Sequence, residues 1–373
     1  MTSSLRPERD IHVENLGDYE ARVLFPEPRP DTRNTRYATV FTAARPLELV
    51  LGGSLAPVRV AYHSYGTLNQ ARDNAVVVCH ALTGSSSVGG ASGWWPDLIG
   101  PGKMLDTDRD FVLCSNVLGG CYGTTGPASP DPASNRDYGP SFPEITITDM
   151  VRVQRALADQ LGIKRVRAVV GGSMGGMLAL EWLRLNPEFV ASGVVIGAPP
   201  RHSAWGIVFN HLARMAIQND PEFRGGRYSA QPRGLALARA ITTLFFRSPQ
   251  SFGITQGRRP SPVDAARFAM ETYLEHQGEK LLERFDANSY ITISKAMDRF
   301  DLPPDQLATI RQPTLCVGIS SDLLYLPAEI QELAQLMPSA RYWELQSPHG
   351  HDAFLLESAQ LAEQVKFFLE QHT

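Results

Sequence analysis

Apolar positions along this chain follow two rhythms that alternate. From Pro57 to Tyr62 they fall at every second residue, Val58, Val60 and Tyr62, which predicts a strand with one buried face. Ala75 to Cys79 is apolar throughout, as a central parallel strand buried on both faces would be. Phe111 to Val117 reads as another strand. The spacing then turns helical through Met150, Val153, Leu157 and Leu161, with Thr148 offered as the N-cap and Gly162 able to close the helix. Val166 to Val170 is the next strand, Gly175 to Leu185 a helix ended by Asn186-Pro187, and Gly193 to Ile196 a further strand. Strands alternating with helices predict the α/β class, a mostly parallel sheet covered by helices on both faces.

The alternation breaks after Gly197-Ala-Pro-Pro200. From Arg201 to about Leu302 the chain is helical in character. Trp205, Val208, Leu212 and Met215 form one helical stripe, and Leu237, Ile241 and Leu244 form another, expected to face inward. The stretch is too long for a loop and predicts a helical insertion. Pro303-Pro304 marks its end. Thr314 to Ile319 then reads as a strand, Ala328 to Met337 as a helix, Arg341 to Leu345 as a strand and Ala359 to Glu370 as a last amphipathic helix. The expected division is residues 1–200 for the first part of the core, 201–305 for a helical lid, and 306–373 for the remainder of the core.

Candidate chemistry lies where strands end. Gly171-Gly-Ser173-Met-Gly175 follows an apolar strand and opens a helix, the setting of a nucleophile elbow. Such a turn strains the serine backbone and brings the chain close on both sides, so only small residues fit at Gly171 and Gly175. The N–H of Met174 then points into a site that favours negative charge. A serine hydroxyl is a weak nucleophile and needs a base, which in turn needs an orienting acid. Asp322, just past the strand from Thr314, is the candidate acid. Ser347-Pro-His349-Gly-His351-Asp352 offers two histidines before the last helix. His351 is chosen as the base, since Gly350 leaves its approach free and it lies nearer the helix start. His349 is expected to be an exposed loop residue. The second oxyanion N–H is assigned to Leu82, in His80-Ala-Leu-Thr-Gly84 after the strand Ala75 to Cys79, and His80 to a structural hydrogen-bonding role.

Composition narrows the partners. The 373 residues carry 43% hydrophobic and 20% charged side chains and a formal charge of −4, which gives no electrostatic reason to expect nucleic acid or an acidic membrane surface. Met1 to Asp10 is polar and lacks the apolar core of a secretory signal. Cys79, Cys114, Cys121 and Cys316 form no Cys-x-x-Cys pair and no metal spacing, so they read as small buried residues in a reducing, cytoplasmic setting.

Several segments together resemble the homoserine O-acetyltransferase family of the α/β-hydrolase superfamily. They are His80-Ala-Leu-Thr-Gly84, Ile99-Gly-Pro-Gly102 with Asp106-Thr-Asp108, Ser115 to Pro127, Thr146-Ile-Thr-Asp-Met-Val151, Gly171 to Gly176, Phe285-Asp-Ala-Asn-Ser-Tyr290 and Gly350-His-Asp-Ala-Phe-Leu355. The resemblance runs from about residue 35 to the C-terminus. It implies an α/β-hydrolase fold with a helical lid, and a homodimer. It also implies transfer of an acyl group from acetyl-CoA to the hydroxyl of L-homoserine, without a bound cofactor or metal, in methionine biosynthesis. The family's triad falls on Ser173, Asp322 and His351. Its carboxylate for the substrate amine falls on Asp352, and its lid arginine for the substrate carboxylate on Arg239. One position departs: some members carry a tyrosine seven residues after that arginine, where this chain has Phe246. A succinyl donor, a serine acceptor, and plain ester hydrolysis on the same triad stand as alternatives.

Overall fold

The computed structural model describes residues 33–372, so the reading of Met1 to Asp10 lies outside the described residues. One sheet holds eight strands: β1 (Arg36–Phe41), β2 (Val58–Tyr65), β3 (Ala75–Cys79), β4 (Phe111–Ser115), β5 (Val166–Gly172), β6 (Gly193–Ile196), β7 (Thr314–Ile319) and β8 (Ala340–Leu345). Their order is β1-β2-β4-β3-β5-β6-β7-β8. Strand β2 runs antiparallel to β1 and to β4, and every other pair is parallel. A parallel strand in mid-sheet must be apolar on both sides, and β3 meets that demand. Val76 and Val78 join one core with Val112, Val170 and Val317, while Val77 and Cys79 join the other with Leu113 and Val169.

Helices α1 (Ile147–Gln160) and α2 (Met174–Leu185) follow the first strands. Helices α3 (Ala204–Gln218), α4 (Gly234–Phe246), α5 (Pro249–Thr255), α6 (Ala269–Leu282) and α7 (Ala287–Asp298) all lie between β6 and β7, in the stretch read as helical. The longer helices α8 (Pro327–Leu336) and α9 (Ser358–Gln371) follow β7 and β8. Met150, Leu157, Met177, Leu178, Ile330 and Leu333 bring α1, α2 and α8 into one core. Leu361, Val365 and Phe368 bring α9 into the other, across the sheet.

Three expectations are corrected. The N-cap of α1 is Thr146, not Thr148: its hydroxyl accepts from the Asp149 N–H, and the Asp149 carboxylate accepts from the Thr146 N–H in return. Thr148 sits inside the helix and donates to Glu181. Strand β4 stops at Ser115 rather than Val117, because the Asn116 side chain turns to bond the Ser86 N–H and the Tyr122 carbonyl. The apolar stripes of α3 and α4 point outward. Trp205, Val208, Leu212, Met215, Leu237 and Leu244 are between 38% and 56% exposed, while Phe209, Ala213, Leu235 and Ala238 fill the inner faces.

Candidate active site

The elbow is a steric necessity of its own sequence. Ser173 joins β5 to α2 at φ 58° and ψ −128°, outside the regions open to most residues with a Cβ. A Cβ on Gly171 would lie 2.1 Å from the Gly175 carbonyl oxygen, and one on Gly175 would lie 2.1 Å from the Cys79 carbonyl oxygen. Both glycines are therefore required for the chain to pass. The turn is pinned by the Ser173 N–H donating to the Ile196 carbonyl at 2.9 Å and by the Gly176 N–H donating to the Ser173 carbonyl at 2.8 Å.

Asp322 follows β7 and is almost fully buried. Its Oδ1 accepts from the N–H groups of Leu324 at 2.8 Å and Tyr325 at 3.0 Å, which leaves Oδ2 for the Nδ1 of His351 at 2.6 Å. A carboxylate only accepts, so His351 carries its proton on Nδ1 and presents Nε2 bare. That Nε2 is buried and has no hydrogen-bond partner among the described residues. Burial alone would push this imidazole down. The charge and hydrogen bond of Asp322, helped by Asp352, outweigh burial and hold it above the ordinary histidine value. Gly197, next after the Ile196 that holds Ser173, faces both partners: a Cβ there would lie 3.4 Å from the His351 ring and 3.5 Å from the Asp322 carboxylate. On the other flank, Phe354 packs against Gly172 and against the His351 ring, with centroids 5.8 Å apart. The elbow and the Asp322–His351 pair thus share neighbours on both sides.

Leu82 and Met174 are buried, and their backbone N–H groups donate to no protein acceptor among the described residues. The Leu82 loop is fixed from both ends. His80 accepts from the Val117 N–H at Nε2 and so donates from Nδ1 to the Ala81 carbonyl. Arg284 donates to the Thr83 carbonyl at 2.7 Å and to the Tyr122 hydroxyl at 2.8 Å. Sequence reasoning left Tyr122 without a role and did not reach Arg284.

Helix α4 lies against the histidine loop. Arg239 is buried, with its guanidinium 5.2 Å from the centre of the Phe246 ring, and Phe246 stacks on His351 at 6.1 Å with the planes 25° apart. Asp352 is buried too, and its Oδ2 lies 3.3 Å from Nε of the buried Arg247. Arg247 was also missed. Its one sequence signal is an arginine between an apolar helix end and the Ser248-Pro249 start of the next. His349 is corrected: it is only 3% exposed, and its Nδ1 bonds the Ser251 hydroxyl at 3.1 Å, tying the loop to α5. Among the described residues no cluster of three or more His, Cys, Asp or Glu side chains could hold a metal.

A parallel sheet with its second strand reversed, an elbow serine after β5, an acid after β7 and a histidine after β8 define an α/β-hydrolase-fold protein. The family model for the alpha/beta hydrolase fold matches residues 74–358. Within that fold, the chain belongs to the homoserine O-acetyltransferase family. It is 50% identical to a homoserine O-acetyltransferase of Trichormus variabilis over 328 residues, covering 86% of this chain and 90% of the relative. Its structure is similar to that of a homoserine O-acetyltransferase from Bacillus anthracis, with a TM-score of 0.82 at 28% identity over 91% of this chain and 98% of the other. Esterase E22 is also similar, with a TM-score of 0.81 at 28% identity over 90% of this chain and 99% of the other.

Proposed function

We propose that the chain transfers an acetyl group from acetyl-CoA to the hydroxyl of L-homoserine, in methionine biosynthesis, through an acyl intermediate on Ser173. The observation that carries the chemistry is the buried Asp322–His351 pair at 2.6 Å behind a strained elbow serine. The high identity to homoserine O-acetyltransferases carries the substrates.

Ser173 Oγ attacks the thioester carbonyl carbon and gives its proton to Nε2 of His351. The carbonyl electron pair moves to oxygen, where the N–H groups of Leu82 and Met174 hold it. Asp322 orients the imidazole and stabilises it once charged. Collapse breaks the C–S bond, and the proton passes from His351 to the departing sulfur. The homoserine hydroxyl then attacks the acyl-serine carbonyl, its proton passing to His351. A second collapse frees Ser173, which takes that proton back. Arg239 binds the homoserine carboxylate and Asp352 its amine, since a zwitterion is oriented by one cation and one anion on opposite sides of the reacting group. Residues 201–305 act as a lid that keeps water from the acyl-serine.

No helix among the described residues is long and apolar enough to cross a membrane. The four free thiols support a cytoplasmic setting. The family resemblance implies a homodimer, and the exposed apolar stripes of α3 and α4 are assigned as the face that meets the second copy. A thiol-release assay crossing acetyl-CoA and succinyl-CoA with homoserine and serine tests the substrates. Fast release is expected only for acetyl-CoA with homoserine. Equal release with and without an amino acid would mean hydrolysis instead.

A further inference from the structure

Behind the Asp322–His351 pair lies a second buried polar chain that the mechanism above does not use. His202, with its side chain fully enclosed, stands between Asp298 and Tyr325: its Nδ1 lies 3.1 Å from Asp298 Oδ1, and its Nε2 lies 2.9 Å from the Tyr325 hydroxyl. Asp298 also accepts from Asn210 at 2.8 Å and from Arg214 at 2.6 Å. Burial opposes its charge, but the bonds from His202, Asn210 and Arg214 keep Asp298 below the usual carboxylate range. An ionised carboxylate cannot donate, so the proton between Asp298 and His202 belongs to Nδ1. In the tautomer so fixed, Nε2 is the acceptor and Tyr325 the donor. Burial, with the charges of Asp322, Glu329 and Asp298, holds the Tyr325 phenol well above its ordinary value, so it keeps that proton.

Tyr325 touches both members of the Asp322–His351 pair. Its N–H is one of the two bonds that fix Asp322 Oδ1, and its ring meets the His351 ring edge to face at 5.2 Å. At the other end, His202 lies just before α3 and Asp298 closes α7, where the chain enters and leaves the helical insertion. There the His202 N–H donates to the Phe300 carbonyl at 2.9 Å, the Leu302 N–H donates to the Pro200 carbonyl at 2.9 Å, and Arg201 pairs with Asp301 through the backbone. The chain of hydrogen bonds therefore runs from both ends of the insertion to the acid loop.

We propose that His202 and Tyr325 are positioning residues, forming with Asp298 a buried relay that locks the Asp322–His351 geometry to the base of the helical lid. The proposal rests on the triad reading above. The relay acts through the Tyr325 hydroxyl. Losing it frees the loop that carries Asp322, weakens the carboxylate's hold on His351 and lowers that imidazole's proton affinity. His202 bonds Asp298 and Tyr325 and feels the charge of Glu329 on α8, while Arg214 from α3 pairs with Asp298 and the charge of Asp322 acts on Tyr325.

The test starts with wild-type thiol release from acetyl-CoA and the mass of the Ser173 peptide. No adduct on Ser173 would overturn the triad reading before any variant is made. Tyr325→Phe keeps the ring and deletes only the hydroxyl. It should slow acylation and homoserine transfer by the same factor, roughly tenfold, the effect of stranding one buried acceptor. The acid limb of its pH profile should move to lower pH. Two variants at His202 separate the relay from simple anchoring of the insertion. His202→Gln can still reach Tyr325 but loses Asp298, whereas His202→Asn keeps the Asp298 contact and loses Tyr325. The relay requires His202→Gln to be the more active. Each variant is compared below its unfolding midpoint, with active enzyme counted from the burst of thiol. An unmoved acid limb in Tyr325→Phe, or greater activity in His202→Asn, overturns the proposal.

Discussion

Ser173 holds a backbone conformation that costs about 1–3 kcal/mol, and nothing in ordinary folding asks for it. The turn holds Ser173 between β5 and α2, with Met174 as the first residue of the helix. Ser173→Ala should therefore lower turnover by roughly 10⁴-fold or more, with a smaller loss for Asp322→Asn. The pH profile separates their roles. His351 must be neutral to accept the serine proton, so the rate rises as pH rises through its pKa. Asp322 holds that pKa above the ordinary histidine value of about 6.5, so the acid limb of wild-type acylation should lie above it. In Asp322→Asn the supporting charge is gone, and the limb should move to lower pH. A limb that stays in place would remove Asp322 from its proposed role. The triad candidates were legible because motif spacing and strand-end position are local properties. His349, Arg247, Arg284 and His202 were misread or missed because their burial is decided by segments far away in sequence. Arg284, for example, meets Thr83 across 201 residues.

At the scale of elements, periodicity found the central strands and most of the helices but could not choose between faces. Helix α4 is apolar on both sides: small Ala238 and Thr242 with Leu235 turn inward, and the larger Leu237 and Leu244 turn out. A stripe of large residues therefore marked the wrong side. The same ambiguity explains the cap of α1, where Thr146 and Thr148 both suit and only the returning Asp149 carboxylate decides. Edge strand β1 was not read at all, since most of its residues are only partly buried or exposed and its alternation is weak. The inner face of α4 carries the acceptor prediction. Loss of one partner of a shielded charge pair costs about 3–5 kcal/mol, and Arg is poorly replaced by Lys where two bonds are made at once. Arg239→Lys and Asp352→Asn should slow transfer to homoserine by roughly 10²- to 10⁴-fold while Ser173 acetylation stays largely intact. Asp352→Asn should also lower the thermal midpoint, because Arg247 would be left buried beside a neutral side chain. Rapid-quench measurement of the two half-reactions decides. Slowed acylation with transfer spared in Arg239→Lys would move Arg239 to the CoA side.

Among the described residues, α3 and α4 expose apolar stripes that the chemistry does not use. Six large side chains there are at least 38% exposed, whereas exposed apolar residues on a soluble monomer are usually scattered singly. A second copy related by a two-fold axis would bury the same patch on both chains, closing the assembly with no face left over. The patch lies on the opposite side of α4 from Arg239, so covering it would steady the helix proposed to bind the acceptor without entering the site. Leu212→Glu combined with Leu244→Glu places charge at two exposed points of the face and leaves the inner residues untouched. Light scattering should then give the mass of a single chain where the wild type gives twice that mass. Acetylation of Ser173 should persist in the variant, since neither residue touches the serine, the acid or the histidine. Transfer to homoserine should weaken through a higher KM, because α4 loses its outer support. A wild type that is already a single chain, or a variant that remains paired, would mean that copies of this chain do not meet through α3 and α4.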